Sequence, residues 1–199
     1  MKDQAAVLDE LIERMVADYV SRNRAAGLLK TMLDEAGVGL FPVIDHVTIR
    51  TLDIEQGALP FVSLGYAYDE TLTYDDWYAK VYRKPGYPAL FVDQAYPDDR
   101  GRSSIIPGWV QKFGDKVFHH IAVRVEDIEH AVARLKQKGV VFAGTIVGDP
   151  GDRLRQVFSA PETVGGHPFT VLELAERHRG YLGFLPPQAD SLMKSTAPR

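Results

Sequence analysis

Four side chains in this sequence could ligate a divalent metal at related positions. His46 lies in the run Ile44-Asp45-His46-Val47-Thr48-Ile49-Arg50-Thr51, and His120 lies in Phe118-His119-His120-Ile121-Ala122-Val123-Arg124-Val125. Asp93 closes the run Pro88-Ala89-Leu90-Phe91-Val92-Asp93, and Glu173 closes Pro168-Phe169-Thr170-Val171-Leu172-Glu173. The chain contains no cysteine, so disulfides, thiolate metal sites and a cysteine nucleophile are excluded. Histidine and carboxylate donors suit Fe(II), Mn(II), Ni(II), Co(II) or Zn(II). Two histidines and one carboxylate on neighbouring strands would form a facial triad, leaving other coordination positions for substrate and O2.

The elements that must hold these residues read as a duplication. His46 pairs with His120 at an offset of 74 residues, and the same offset pairs Ile49 with Val123, Arg50 with Arg124, Asp53 with Asp127, Ile54 with Ile128, and Gly65 with Gly139. A repeat of this kind outranks other fold signals. Each histidine run alternates as a strand. His46, Thr48 and Arg50 share one face and His120, Ala122 and Arg124 share its counterpart, lining a cavity while the apolar faces meet helices. Asp93 and Glu173 align at an offset of 80, six residues more, which an insertion in the middle hairpin of the second copy explains.

The expected fold class is α+β: paired βαβββ modules forming a cupped mixed sheet, preceded by an N-terminal helical hairpin. Residues 1–40 carry the hairpin, with apolar pairs from Val7/Leu8 to Tyr19/Val20 and from Leu28/Leu29 to Met32/Leu33. Residues 41–93 form the first module, 94–116 a linker, 117–175 the second module and 176–199 a tail without a clear period. In the second module Asp127 is the expected N-cap, Ile128, Ala131, Val132 and Leu135 form the apolar stripe, and Gly139 stops the helix. In the first module Pro60 falls inside the equivalent helix, which predicts a shorter helix from near Pro60 to Gly65. Three strands follow each helix: Gly65–Tyr68, Trp77–Tyr82 and Ala89–Val92 in the first module, then Val140–Ile146, Arg153–Ser159 and Phe169–Leu174.

A single histidine at a strand start is more often a satisfied structural residue than a ligand. The repeat equivalence of His46 and His120 is what a shared metal site requires and packing does not. His119 alternates onto the helix side, His130 falls on an exposed helix face, and His167 and His178 flank the last strand. The net charge of −4 argues against a nucleic-acid partner. No apolar run is long enough to span a bilayer, no signal peptide is seen, and the absence of cysteine fits a cytoplasmic protein.

Over residues 43–175, the βαβββ repeat, the histidine-led strand starts and the Val171-Leu172-Glu173 end resemble the vicinal oxygen chelate superfamily, which includes glyoxalase I, extradiol dioxygenases and bleomycin-resistance proteins. The resemblance implies that His46, His120 and Glu173 hold the metal, with Fe(II) as the expected ion. Asp45-His46-Val47-Thr48-Ile49-Arg50-Thr51 carries a looser likeness to the 2-oxoadipate dioxygenase/decarboxylase (hydroxyglutarate synthase) family, whose enzymes are considerably longer. That likeness implies that Arg50 holds a substrate carboxylate, with Arg124 also offsetting substrate charge. The expectation is an Fe(II)-dependent dioxygenase acting on a small carboxylate-bearing substrate such as a 2-oxo acid, with O2 as co-substrate and dimerisation left open. Asp93 as a fourth ligand would favour a glyoxalase-type isomerase or lyase using Ni(II) or Zn(II). A non-catalytic binding protein is the third alternative, since resistance proteins of the superfamily lack the ligands.

Overall fold

Alternation and helical periodicity turn into regular structure along the chain. The computed structural model describes residues 3–195. In chain order its elements are α1 (Gln4–Arg22), α2 (Arg24–Glu35), β1 (Ile44–Arg50), α3 (Ile54–Val62), β2 (Ala67–Thr73), β3 (Trp77–Arg83), β4 (Ala89–Ala95), α4 (Ile106–Phe113), β5 (Val117–Val125), α5 (Ile128–Gln137), β6 (Phe142–Val147), β7 (Leu154–Ser159), β8 (Thr163–Val164), β9 (His167–Pro168), β10 (Val171–Arg177) and α6 (Pro186–Ser195). The class is α+β with mixed sheets, as the patterning implied. No helix among the described residues is long and apolar enough to cross a membrane.

The chain divides into two compact units. The first takes the chain up to Ser21 together with His46–His119, and the second takes Arg22–Asp45 together with the chain from His120 onward. In the first unit the strand order is β2-β3-β4-β1, with β1 parallel to β4 and the other pairs antiparallel. In the second it is β5-β10-β7-β6, with β5 parallel to β10 and the rest antiparallel. Each therefore realises the βαβββ pattern, its helix serving as the crossover that a parallel strand pair needs. The middle hairpin is longer in the second unit: Leu72 pairs with Ala79, whereas Ala143 pairs with Phe158.

Each crossover helix is fixed at its start in two ways. Asp53 accepts from the backbone N–H groups of Glu55 and Gln56, and Asp127 accepts from that of His130. The side chain of Gln94 on β4 accepts from Ile54 N at 2.7 Å, and Glu176 on β10 accepts from Ile128 N at 2.7 Å. These partners satisfy first-turn donors that have no intrahelical acceptor.

The expectation of a short helix beginning near Pro60 is corrected: α3 starts at Ile54 and contains Pro60 in its last turn. There proline forfeits only its own bond to the Gln56 carbonyl, and the capped first turn outweighs that loss. The expected linker also carries structure, because α4 lies within it. Ile106, Trp109, Val110 and Phe113 supply its stripe, Pro107 sits in its first turn, and Gly114 follows it at φ 106°. The tail, which showed no clear period, forms α6, and Leu192 packs against Phe158 and Val171. Residues 196–199 of the tail lie outside the described residues. The N-terminal helices are counted with different units: Tyr87 Oη bonds Asp9 of α1 at 2.8 Å, while Asn23, the cap of α2, donates to Thr170 at 3.1 Å.

Candidate functional site

In the first unit the parallel pairing of β1 with β4 sets three pairs on one face: His46 with Ala89, Thr48 with Phe91, and Arg50 with Asp93. His46 is buried, and its ring lies 5.0 Å from that of Phe91. Arg50 is among the largest fully buried side chains of the protein. Its guanidinium lies over the Trp109 ring of α4, 5.2 Å from the centroid. Burial lowers the Arg50 pKa to about 10, partly countered by Asp93. Burial likewise raises the Asp93 pKa to about 7, against the opposing pull of Arg50 and His46. Both shifts run toward the neutral forms, so desolvation outweighs mutual attraction in this pair. Asp93 Oδ1 is buried with no hydrogen-bond partner among the described residues.

In the second unit β5 and β10 repeat the arrangement: His120 pairs with Val171, Ala122 with Glu173, and Arg124 with Ala175. His120 and Glu173 are both buried, and His120 Nε2 lies 3.3 Å from Glu173 Oε2. The ring of Phe158 on β7 lies 5.1 Å from that of His120. Gln156, also on β7, donates from Nε2 to Glu173 Oε1 at 2.5 Å. Arg124 differs from Arg50 in its surroundings: it is exposed and pairs with Asp45 at 3.2 Å. Arg177 grips the same carboxylate with two bonds of 2.7 and 2.8 Å.

The two registers revise one equivalence. With His46 matched to His120, the counterpart of Glu173 is Phe91, and the counterpart of Asp93 is Ala175. The helix-capping pair agrees, since Gln94 and Glu176 are separated by the same 82 residues as Phe91 and Glu173. Sequence alignment had paired Asp93 with Glu173. A slip of two residues keeps every side chain on its face, so alternation alone cannot detect it. Asp93 therefore stands one pair beyond the Glu173 position, beside Arg50.

Some residues of the site escaped the sequence reading. Gln156 and Phe158 carry no motif, and only the antiparallel pairing of β7 with β10 brings them to Glu173 and His120. Trp109 lay in the expected linker, although the spacing of Ile106, Trp109, Val110 and Phe113 was a usable helix signal. The other histidines lie elsewhere. His119 meets Trp109 edge-on at 5.8 Å, His130 and His167 are exposed, and His178 Nε2 lies 2.5 Å from Glu176 Oε1. A second acidic group, Asp127, Glu129 and Glu176, is already bridged by Arg155, which bonds both Glu129 and Glu176.

No protein-family model and no curated protein sequence matches this chain. Solved structures do. A protein of Shewanella frigidimarina NCIMB 400 described as a hydrolase superposes with a TM-score of 0.72 at 20% identity, covering 94% of this chain and 99% of its own. A glyoxalase superfamily protein of Ralstonia eutropha JMP134 gives 0.65 at 16% identity, covering 85% and 83%. A variant of 4-hydroxymandelate synthase from Streptomyces coelicolor gives 0.62 at 17% identity, covering 79% of this chain and 55% of the synthase. This chain has the vicinal oxygen chelate fold. The likeness is one of fold, and the vicinal oxygen chelate fold also occurs in methylmalonyl-CoA epimerase of Mycobacterium tuberculosis, with a TM-score of 0.52 at 22% identity and 69% of this chain and 89% of the epimerase covered. A vicinal oxygen chelate fold that serves both a synthase and an epimerase does not by itself select a reaction.

Proposed function

We propose that His46, His120 and Glu173 hold one divalent metal, Fe(II) by preference, and that the protein is a dioxygenase acting on a small carboxylate-bearing substrate such as a 2-oxo acid. The observation that carries this reading is the register. Phe91, which has no donor atom, occupies the position equivalent to Glu173, so the duplicated strands offer two imidazoles and one carboxylate. Such a donor set favours non-haem Fe(II) with open positions, over the four-ligand arrangement that Asp93 would have supplied. All three residues are buried.

The donor chemistry of the second unit fits a metal. Two ligand atoms at adjacent positions of an octahedral ion, each about 2.1 Å from it, lie about 3 Å apart. His120 Nε2 and Glu173 Oε2 are separated by 3.3 Å. When bound, the metal supplies Lewis acidity and redox capacity for O2-dependent decarboxylation of the substrate. The chain's own residues do the rest. The imidazoles bind in the neutral form, and Phe91 and Phe158 pack on them and exclude water. Arg50 stays cationic at neutral pH and offsets the substrate carboxylate, and Arg124 adds positive charge at the equivalent position of the second module.

Purified protein tests the reading by metal analysis and by O2 uptake with a panel of 2-oxo acids and catechols. The expected result is one divalent metal per chain, O2 consumption with a 2-oxo acid, and loss of both in His120→Ala and His46→Ala. Metal retained at wild-type stoichiometry in those variants would sink the site. Turnover of a hemithioacetal or an epimerisable acid without O2 uptake would replace the dioxygenase by an isomerase.

A further inference from the structure

The two oxygens of Glu173 have different surroundings. Oε2 faces His120 Nε2 at 3.3 Å, and Oε1 accepts from Gln156 Nε2 at 2.5 Å. An ionised carboxylate can only accept, so the amide atom that meets it must be the NH2 group. Gln156 is 4% exposed. On β7 it stands opposite Ala175, and Phe158 stands opposite Glu173, so Gln156 reaches Glu173 along the diagonal of the antiparallel pair. Ala175 has no side chain beyond Cβ, which leaves that diagonal open. In the first unit the β3 residue opposite Asp93 is Ala79, and the one opposite Phe91 is Val81. The amide thus occurs only in the copy that carries the buried glutamate.

We infer that Gln156 is a positioning residue for the metal centre: it ties up Oε1, so that Glu173 presents Oε2 alone to the ion. This inference rests on the ligand set proposed above. A one-oxygen carboxylate leaves three positions of an octahedral ion open, where a two-oxygen carboxylate would occupy one of them. Outer hydrogen bonds of this kind orient a ligand and tune its affinity.

Co(II) titration of the metal-free, full-length protein tests the role without any activity measurement. Two variants remove the bond differently. Gln156→Met keeps the chain length and loses the donor, and Gln156→Asn keeps the amide one methylene short of reach. Both are expected to weaken Co(II) binding by roughly 10–100-fold and to shift the visible absorption of the bound ion, with far-UV circular dichroism unchanged. If Gln156→Met does not fold, Gln156→Asn carries the test. Wild-type affinity and spectrum in the folded variants overturn the inference. Wild-type protein that binds no Co(II), or His120→Ala that binds it normally, overturns the metal site itself.

Discussion

Asp93 and Arg50 form the most heavily desolvated charged pair on the face that carries His46. Asp93 titrates near pH 7 because burial penalises its charge more than Arg50 and His46 favour it. Its ordinary value is 3.8, so between about pH 4 and pH 7 the folded state holds a proton that the unfolded state has released. The stability contributed is fully present below the lower value and is lost as pH rises through the upper one. The loss amounts to at most about 4 kcal/mol. Urea unfolding of metal-free protein at pH 5 and pH 8 should show this decline, and Asp93→Asn should flatten it. Parallel pH dependence in both proteins would refute the assignment. The Arg50 shift lies near pH 10 and leaves this window untouched.

The crossover helices α3 and α5 are anchored by residues two strands away in sequence. Gln94 and Glu176 each accept the first N–H of the helix, and each sits at the same place in its copy. Gln94→Leu leaves Ile54 N without that acceptor and should cost about 1–3 kcal/mol in chemical denaturation. Glu176→Leu should cost more, because Glu176 also faces the buried Arg155 and His178. Equal costs would show that the shared cap, and not the ion pair, sets both energies. The tail helix α6 and the inserted helix α4 lack repeat counterparts. Leu192 of α6 packs on Phe158, which in turn meets His120, and Trp109 of α4 covers Arg50. These two additions dress the duplicated strands differently in each copy.

For the chain taken together, the proposed ligand set predicts that metal and folding are coupled. A metal that binds only the folded chain stabilises it by roughly 2.7 kcal/mol at 100 times its dissociation constant. For a chain of this length that corresponds to a rise in Tm of roughly 5–10 °C. Thermal melts with and without Co(II) check this, and His120→Ala should abolish the rise. An equal rise in that variant would place the ion elsewhere.

Much was legible in the residues. Alternation at His46–Arg50 and His120–Arg124, the apolar stripe from Ile128 to Leu135 and the offset of 74 residues fixed the class, the repeat and the candidate histidines, because strand and helix periods are local properties of a chain. Helix α3 was misplaced because a capping side chain from β4 cannot be seen beside Pro60 in sequence. The pairing of acids was misread because a two-residue slip leaves the face of every side chain unchanged, and only the hydrogen-bonded register distinguishes Phe91 from Asp93 as the partner of Glu173. Gln156 was invisible for the same reason: nothing in the chain between it and Glu173 requires their contact, and the antiparallel pairing of β7 with β10 creates it.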